Sequence, residues 1–137
     1  MGSLVKKLGL CAAGLLFPAL ACAQQRETVT PQFSHVLPNA PGKSLIAVTV
    51  DYPPGAKSAP HTHAKSAFIY GYVVSGAIRS QVDDQPARVY RAGDAFYEMP
   101  GAHHRISGNG SDSEPARLLA VFVVDANETT LTTPDGR

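Results

Sequence analysis

The sequence predicts an all-β domain of sandwich or barrel type, and three observations carry that prediction. Gly and Pro are frequent, at 12 and 11 of 137 residues, and each breaks helices or forms turns. Short β-branched runs are separated by turn signals at spacings of about 8 to 12 residues. No helical pattern of about a dozen residues occurs after residue 23. A chain of 137 residues holds one core of normal size, so one domain is expected.

Residues 1–23 read as a secretory signal rather than as part of the fold. Lys6 and Lys7 give a positive start, residues 8–20 are apolar, and Ala21-Cys22-Ala23 places small residues before a cleavage point at Gln24. The apolar stretch is shorter than the roughly 20 residues a bilayer requires, so no transmembrane segment is expected in the mature chain. Ala-Leu-Ala-Cys ending at Cys22 also resembles a bacterial lipoprotein site. The expected location is secreted or periplasmic, with lipid anchoring through Cys22 as the alternative. Cys11 and Cys22 are the two cysteines, so a mature chain from Gln24 has neither a disulfide framework nor a cysteine nucleophile. Removing Lys6 and Lys7 leaves 10 basic against 11 acidic residues. Such a neutral surface disfavours a nucleic-acid partner.

Residues 24–43 are polar and interrupted by Pro31, Pro38 and Pro41; they predict an irregular arm with at most one short strand near 33–37. Strands are predicted over 44–52, before Pro53-Pro54-Gly55, and over 68–74 and 77–82 on either side of Gly76. Four more are predicted over 87–90, 95–99, 104–107 and 116–124, each bounded by Gly, Pro, Asn or Asp. The barrel is thus expected over 44–126, with a tail over 127–137. Neither a strand–Gly-rich loop–helix unit nor a Gly-x-Ser-x-Gly elbow is present, which leaves nucleotide chemistry and serine hydrolysis unsupported.

Four of the five histidines fall in two short segments, His61-Thr62-His63 and His103-His104. In an extended segment residues i and i+2 share a face, so His61 and His63 aim two imidazoles at one point, as divalent metals require. Alone, such a pair is more often a surface turn. Its surroundings carry the argument further. Gly55 precedes His61 by five intervening residues. Gly76 and Gly93 lie 17 positions apart, and Gly93 is followed by five residues, Met99-Pro100-Gly101, His104 and Asn109. This pattern resembles the cupin family over about residues 45–125. The resemblance implies a double-stranded β-helix or jelly-roll barrel holding a metal through His61, His63 and His104.

The pattern departs from the family in four places. The registers where the family carries a glutamate hold Ala67, Phe68 and Ile69, Met99 replaces the first proline, the interval from His63 to Gly76 is about two residues long, and Asn109 comes one residue late. The site therefore has either three histidines and an open side, or a carboxylate from elsewhere. Glu98, in the otherwise apolar run Ala95-Phe96-Tyr97-Glu98-Met99, is the candidate ligand and, if displaced from a metal, the candidate base. A carboxylate in such a strand is costly to bury unless paired or bound to a cation; pointing outward to Arg79, Arg91 or Arg105 is the alternative. Adjacent His103 and His104 face opposite ways, leaving His103 at the rim or behind the ligands.

Tyr70, Phe96, Phe68 and Tyr72 are expected to line the barrel or its pocket. His35, Asp51 and Asp94 read as surface, strand-end or turn residues, and Arg79 and Gln81 as surface or subunit contacts. The chemistry expected is that of a metal-dependent, oxygenase-like enzyme acting on a small organic molecule, with one divalent iron, manganese, nickel, copper or zinc ion. A non-catalytic binding or sensing module, or a metal-free isomerase or epimerase with a histidine base, are the alternatives. An exposed edge or the arm over 24–43 leads to an expected homodimer.

Overall fold

The computed structural model describes residues 25–136. The leader over residues 1–23, with Cys11 and Cys22, lies outside the described residues. Among those described there is no helix. Ten strands follow in order: β1 (Thr28–Val36), β2 (Lys43–Tyr52), β3 (His61–His63), β4 (Phe68–Ser75), β5 (Ala77–Val82), β6 (Arg88–Arg91), β7 (Ala95–Glu98), β8 (His103–Asn109), β9 (Ala116–Asp125) and β10 (Thr132–Pro134). They form two five-stranded antiparallel sheets, ordered β1-β2-β9-β4-β7 and β10-β3-β8-β5-β6.

Strict alternation selects the inner faces. In β9, Ala116, Leu118, Ala120, Phe122 and Val124 are buried while the intervening residues are not. Val48, Val50 and Tyr52 of β2, Ile69 and Val73 of β4 and Ile78 of β5 meet them between the sheets. As expected, Arg79 faces out; its neighbour Ser80 faces in. Two glycines permit close approaches. A Cβ on Gly71 would stand 2.8 Å from the Phe96 ring, and Gly76 adopts φ +71° where a Cβ would meet the Pro115 carbonyl at 2.4 Å.

Three expectations change. The arm over 24–43 is not irregular: β1 runs nine residues and pairs with β2 from Thr28↔Asp51 to Val36↔Ser44, with an irregularity between Pro31 and Phe33. Its residues are all exposed, so backbone pairing rather than an alternating apolar face holds it, and no periodicity marked it. The tail over 127–137 contributes β10, paired with β3 through Thr132↔His63 and Pro134↔His61. Phe68 and Tyr70 lie outside the barrel, at 41% and 45% exposure. Ile69, Gly71 and Val73 take the inward register of β4, while Phe68 stacks on Tyr97 across the outer face, ring centroids 5.9 Å apart.

Candidate metal centre

The two histidines of β3 share one face because they are two residues apart in a strand, with exposed Thr62 between them. β3 pairs with β8, which sets His61 opposite His104 and Thr62 opposite His103. The pairing therefore adds a third imidazole on the inner side. Ring centroids lie 4.8 Å apart for His61 and His63, 5.3 Å for His61 and His104, and 5.9 Å for His63 and His104. One nitrogen from each ring falls within 4.8 Å of the others, a grouping able to hold a metal ion.

Glu98 reaches the same place from the opposite sheet. In β7 it shares the inward register with Phe96 and is 3% exposed. Its Oε2 lies 3.0 Å from His63 Nε2 and its Oε1 lies 3.2 Å from His104 Nδ1. The first contact is not aligned as a hydrogen bond: His63 Nδ1, His63 Nε2 and Glu98 Oε2 are buried atoms without a hydrogen-bond partner. Burial by itself raises the Glu98 carboxyl, but the His104 and His63 nitrogens outweigh it and hold the pKa at about 2. Burial also lowers His61, more than its bond to the Ala59 carbonyl raises it, so the imidazole is neutral at pH 7.

Two neighbours orient the rings. His61 Nδ1 donates to the Ala59 carbonyl at 2.8 Å, which leaves Nε2 as its free nitrogen. His104 Nε2 lies 2.8 Å from Ser80 Oγ, which leaves Nδ1 turned toward Glu98. Three imidazoles and one carboxylate, with a close pair of unpartnered buried atoms among them, suit a divalent transition metal. His63 Nε2 and Glu98 Oε2, which otherwise lack a partner, would be available to hold such an ion.

These groups line a cavity of about 290 Å³. Its walls are apolar, including Val48, Leu118, Phe122 and Leu131, and it reaches Glu27 and Val29 near β1 and Pro134 of β10. Sequence reasoning did not single out Tyr52, Ser58, Ser80 or Ser107, although Tyr52, Ser58 and Ser107 line this cavity. The signal for Ser107 is hidden by a β-bulge: Val82 pairs with His104 but Gln81 pairs with Ile106, so Arg105 is skipped. His104 and Ser107, three apart, then both face inward. Asn109 lies beyond the same bulge, at the end of β8. That side chain is buried, donates through Nδ2 to the carbonyls of Tyr52, Pro53 and Glu114, and accepts from the Ser111 backbone N–H.

Two site expectations are corrected, and a third, for Phe96, holds in part. His103 is not behind the ligands: it points outward, its Nε2 2.8 Å from Asp135 Oδ2 and its backbone N–H on Asp83 Oδ1, because it follows the opposite parity to His104. Tyr70 does not line the cavity, for the register reason given above. Phe96 faces inward as expected, where it lines a separate cleft beside β6, packs edge-on against His104 at 6.2 Å and lies tilted against Tyr90 at 4.9 Å. Asp51 and Asp94 serve structure, as expected: Asp51 pairs with Arg117 across β2 and β9, and Asp94 accepts the Arg91 N–H in a turn.

The family described as Cupin domain matches residues 48–122. The chain belongs to the cupin family. This cupin is 32% identical over 99 residues to a germin-like protein 9-2 of Oryza sativa subsp. japonica, covering 69% of the chain and 45% of the relative. It thus spans under half the length of that relative. A conserved double-stranded β-helix protein of Klebsiella pneumoniae superposes with a TM-score of 0.63 at 18% identity, over 84% of this chain and 89% of that one. A recombinant oxalate oxidase in complex with glycolate superposes with a TM-score of 0.55 at 24% identity, over 70% of this chain and 50% of that one. Both structures establish the fold of this cupin as a double-stranded β-helix.

Proposed function

We propose that this cupin is a metal-dependent enzyme of oxygenase or oxidase type acting on a small organic molecule, with His61, His63, His104 and Glu98 as the metal ligands. The observation that carries it is the buried pair His63 Nε2 and Glu98 Oε2, 3.0 Å apart and both without a hydrogen-bond partner, in a cavity with two more imidazoles. A bound iron, manganese, nickel, copper or zinc ion would supply Lewis acidity and, for the redox-active members, electron exchange with dioxygen. The chain supplies the rest. Ala59 and Ser80 fix the His61 and His104 rings, apolar walls exclude water, and Glu98 offers a carboxylate for proton transfer when a ligand takes its place. The oxalate oxidase and germin-like relatives support this reading by likeness of fold and sequence.

Metal content of the purified protein tests it, followed by oxygen uptake with catechols, diketones, flavonols and small hydroxy acids. His61→Ala and His63→Ala are expected to remove stoichiometric metal and leave the domain folded. Equal metal in parent and variants sinks the ligand assignment, and stoichiometric metal without turnover across the panel favours a binding module. The same reading includes export to the periplasm or exterior with cleavage before Gln24, or anchoring through Cys22. No helix among the described residues is long and apolar enough to cross a membrane. Homodimer formation is part of the proposal, because β1 is an edge strand with exposed Val29, Phe33 and Val36.

A further inference from the structure

The two outer faces of the barrel differ in a way the core does not require. An antiparallel sheet that covers a core on one side is polar on the other when that side meets water. The β10-β3-β8-β5-β6 sheet obeys this rule, with Thr62, His103, Arg105, Arg79, Gln81 and Arg91 on its outer side. The β1-β2-β9-β4-β7 sheet does not. One cross-strand row runs over all five of its strands as Phe33↔Ala47↔Val121↔Tyr70↔Tyr97. The row on one side adds Leu45, Val123 and Phe68, and the row on the other adds Leu119 and Tyr72. Ala47 is 9% exposed yet lies outside the core cluster, because Phe33 and Val121 flank it on the outer face.

Charge is confined to the margins of this face. Lys43 pairs with Asp125 beyond one end of the rows and Arg117 with Asp51 beyond the other, so each end is neutral in sum. An apolar centre with a polar rim is the anatomy of a protein interface. Balanced pairs at both ends give no net attraction to an anionic surface. Five strands about 4.8 Å apart, the four longest of eight to ten residues at about 3.4 Å each, make a face of about 24 by 30 Å, or about 700 Å². That is close to the roughly 800 Å² each partner buries in a standard stable interface. Phe33, Phe68, Tyr70 and Tyr97 are each 41–64% exposed and together show about 400 Å².

Side-chain size decides how a second copy sits. In the five-strand row the middle strand β9 carries Val121, with Ala47 on one side, Tyr70 on the other, and Phe33 and Tyr97 at the two edges. A two-fold axis running along β9 sets Ala47 of one copy against Tyr70 of the other, small on large, and sets Phe33 against Tyr97. An axis across the strands would set Tyr70 on Tyr70 and Ala47 on Ala47, a clash beside a gap. We infer that the outer face of this sheet is the contact between two copies of the chain, packed face to face about a two-fold axis along β9, with Phe33 of each copy on the partner's Tyr97. The inference rests on the homodimer of the proposed function and gives that dimer a whole sheet face, of which the β1 edge is one margin. The histidine-lined cavity lies on the inner side of the sheet, so each copy keeps its own metal centre.

Sedimentation equilibrium of the full chain tests the contact in the parent, Phe33→Lys, Tyr97→Asp and Phe33→Lys/Tyr97→Asp, with far-UV circular dichroism and metal content measured on the same samples. The parent is expected to be a dimer. Each single change is expected to raise the dimer dissociation constant about tenfold or more, because it buries an unpaired charge. The double variant is expected to return to within a few-fold of the parent, since each lysine then meets the partner's aspartate. Both positions are exposed, so every variant is expected to keep the fold. A dimer unaffected by Tyr97→Asp overturns the face contact and leaves a homodimer joined at β1, because β7 is the opposite edge of the same sheet. Failure of the double variant to recover overturns the axis along β9. A monomeric parent overturns the homodimer reading and this contact with it; if that monomer floats with phosphatidylcholine vesicles and Tyr97→Asp does not, the face belongs to a lipid surface instead.

Discussion

Glu98 loses most of its hydration on folding, yet its carboxyl is held at about 2 against an ordinary value of 4.5, because the His104 and His63 nitrogens stand 3.2 and 3.0 Å away. The folded state therefore binds this proton more weakly than the unfolded chain does. Its stabilising contribution is full above pH 4.5 and is lost as pH falls toward 2. Metal-free parent protein is expected to lose more melting temperature between pH 5 and pH 3 than Glu98→Gln does; equal losses would contradict the assignment. Glu98→Gln is also expected to lower metal affinity, and full occupancy in that variant would leave a three-histidine site with an open side. Ser80 acts one step further out, since it holds His104 Nε2 at 2.8 Å. Ser80→Ala is expected to weaken metal binding by about 10- to 100-fold while the fold persists, measured by competition with a chelator. Unchanged affinity would show that strand pairing alone orients His104.

At the scale of elements, the site is a product of strand register. β3 brings its two histidines, its pairing with β8 adds His104, and β7 adds Glu98 from the other sheet. Gly71 shows how closely these strands must approach, because β4 pairs with β7 through Gly71↔Phe96 and a methyl group there would stand 2.8 Å from the Phe96 ring. Phe96 in turn packs edge-on against His104 at 6.2 Å. Gly71→Ala is expected to destabilise the domain by about 1–3 kcal/mol through overpacking and to weaken metal binding as Phe96 presses on His104. Denaturant unfolding of the metal-free protein and metal titration read the two effects separately. A neutral result in both would mean that β7 shifts freely. The spacing of His61-Thr62-His63 made the first part of this arrangement legible in the sequence. The bulge at Arg105 was not legible, because it arises from how β8 fits against β5 and leaves no compositional mark.

For the molecule as a whole, two antiparallel sheets enclose one core and one histidine-lined cavity, and the segments near the two ends of the described chain supply edge strands. β1 ends one sheet and β10 ends the other. β1 presents Val29, Phe33 and Val36 at 54–57% exposure along an unpaired edge. Such an edge pairs readily with a second chain unless charges intervene. Phe33→Lys is expected to convert the proposed dimer to a monomer with little change in metal content, as read by light scattering. A parent protein that is monomeric at high concentration would remove the dimer from the account.

The sequence by itself determined the all-β class, the main strands from residues 44 to 124, and the convergence of His61 and His63, because these depend on period-two alternation and local turn chemistry. It also singled out Glu98 as the candidate to replace the missing carboxylate. Only the tertiary structure decided that Glu98 faces inward, that His103 pairs with Asp135 outside the barrel, and that Tyr70 lies on the outer face. It alone joined Tyr52, Ser58 and Ser107 into one hydroxyl cluster. Strand parity names two possible faces, but which one turns inward depends on pairing with strands far along the chain, and a single bulge reverses the answer.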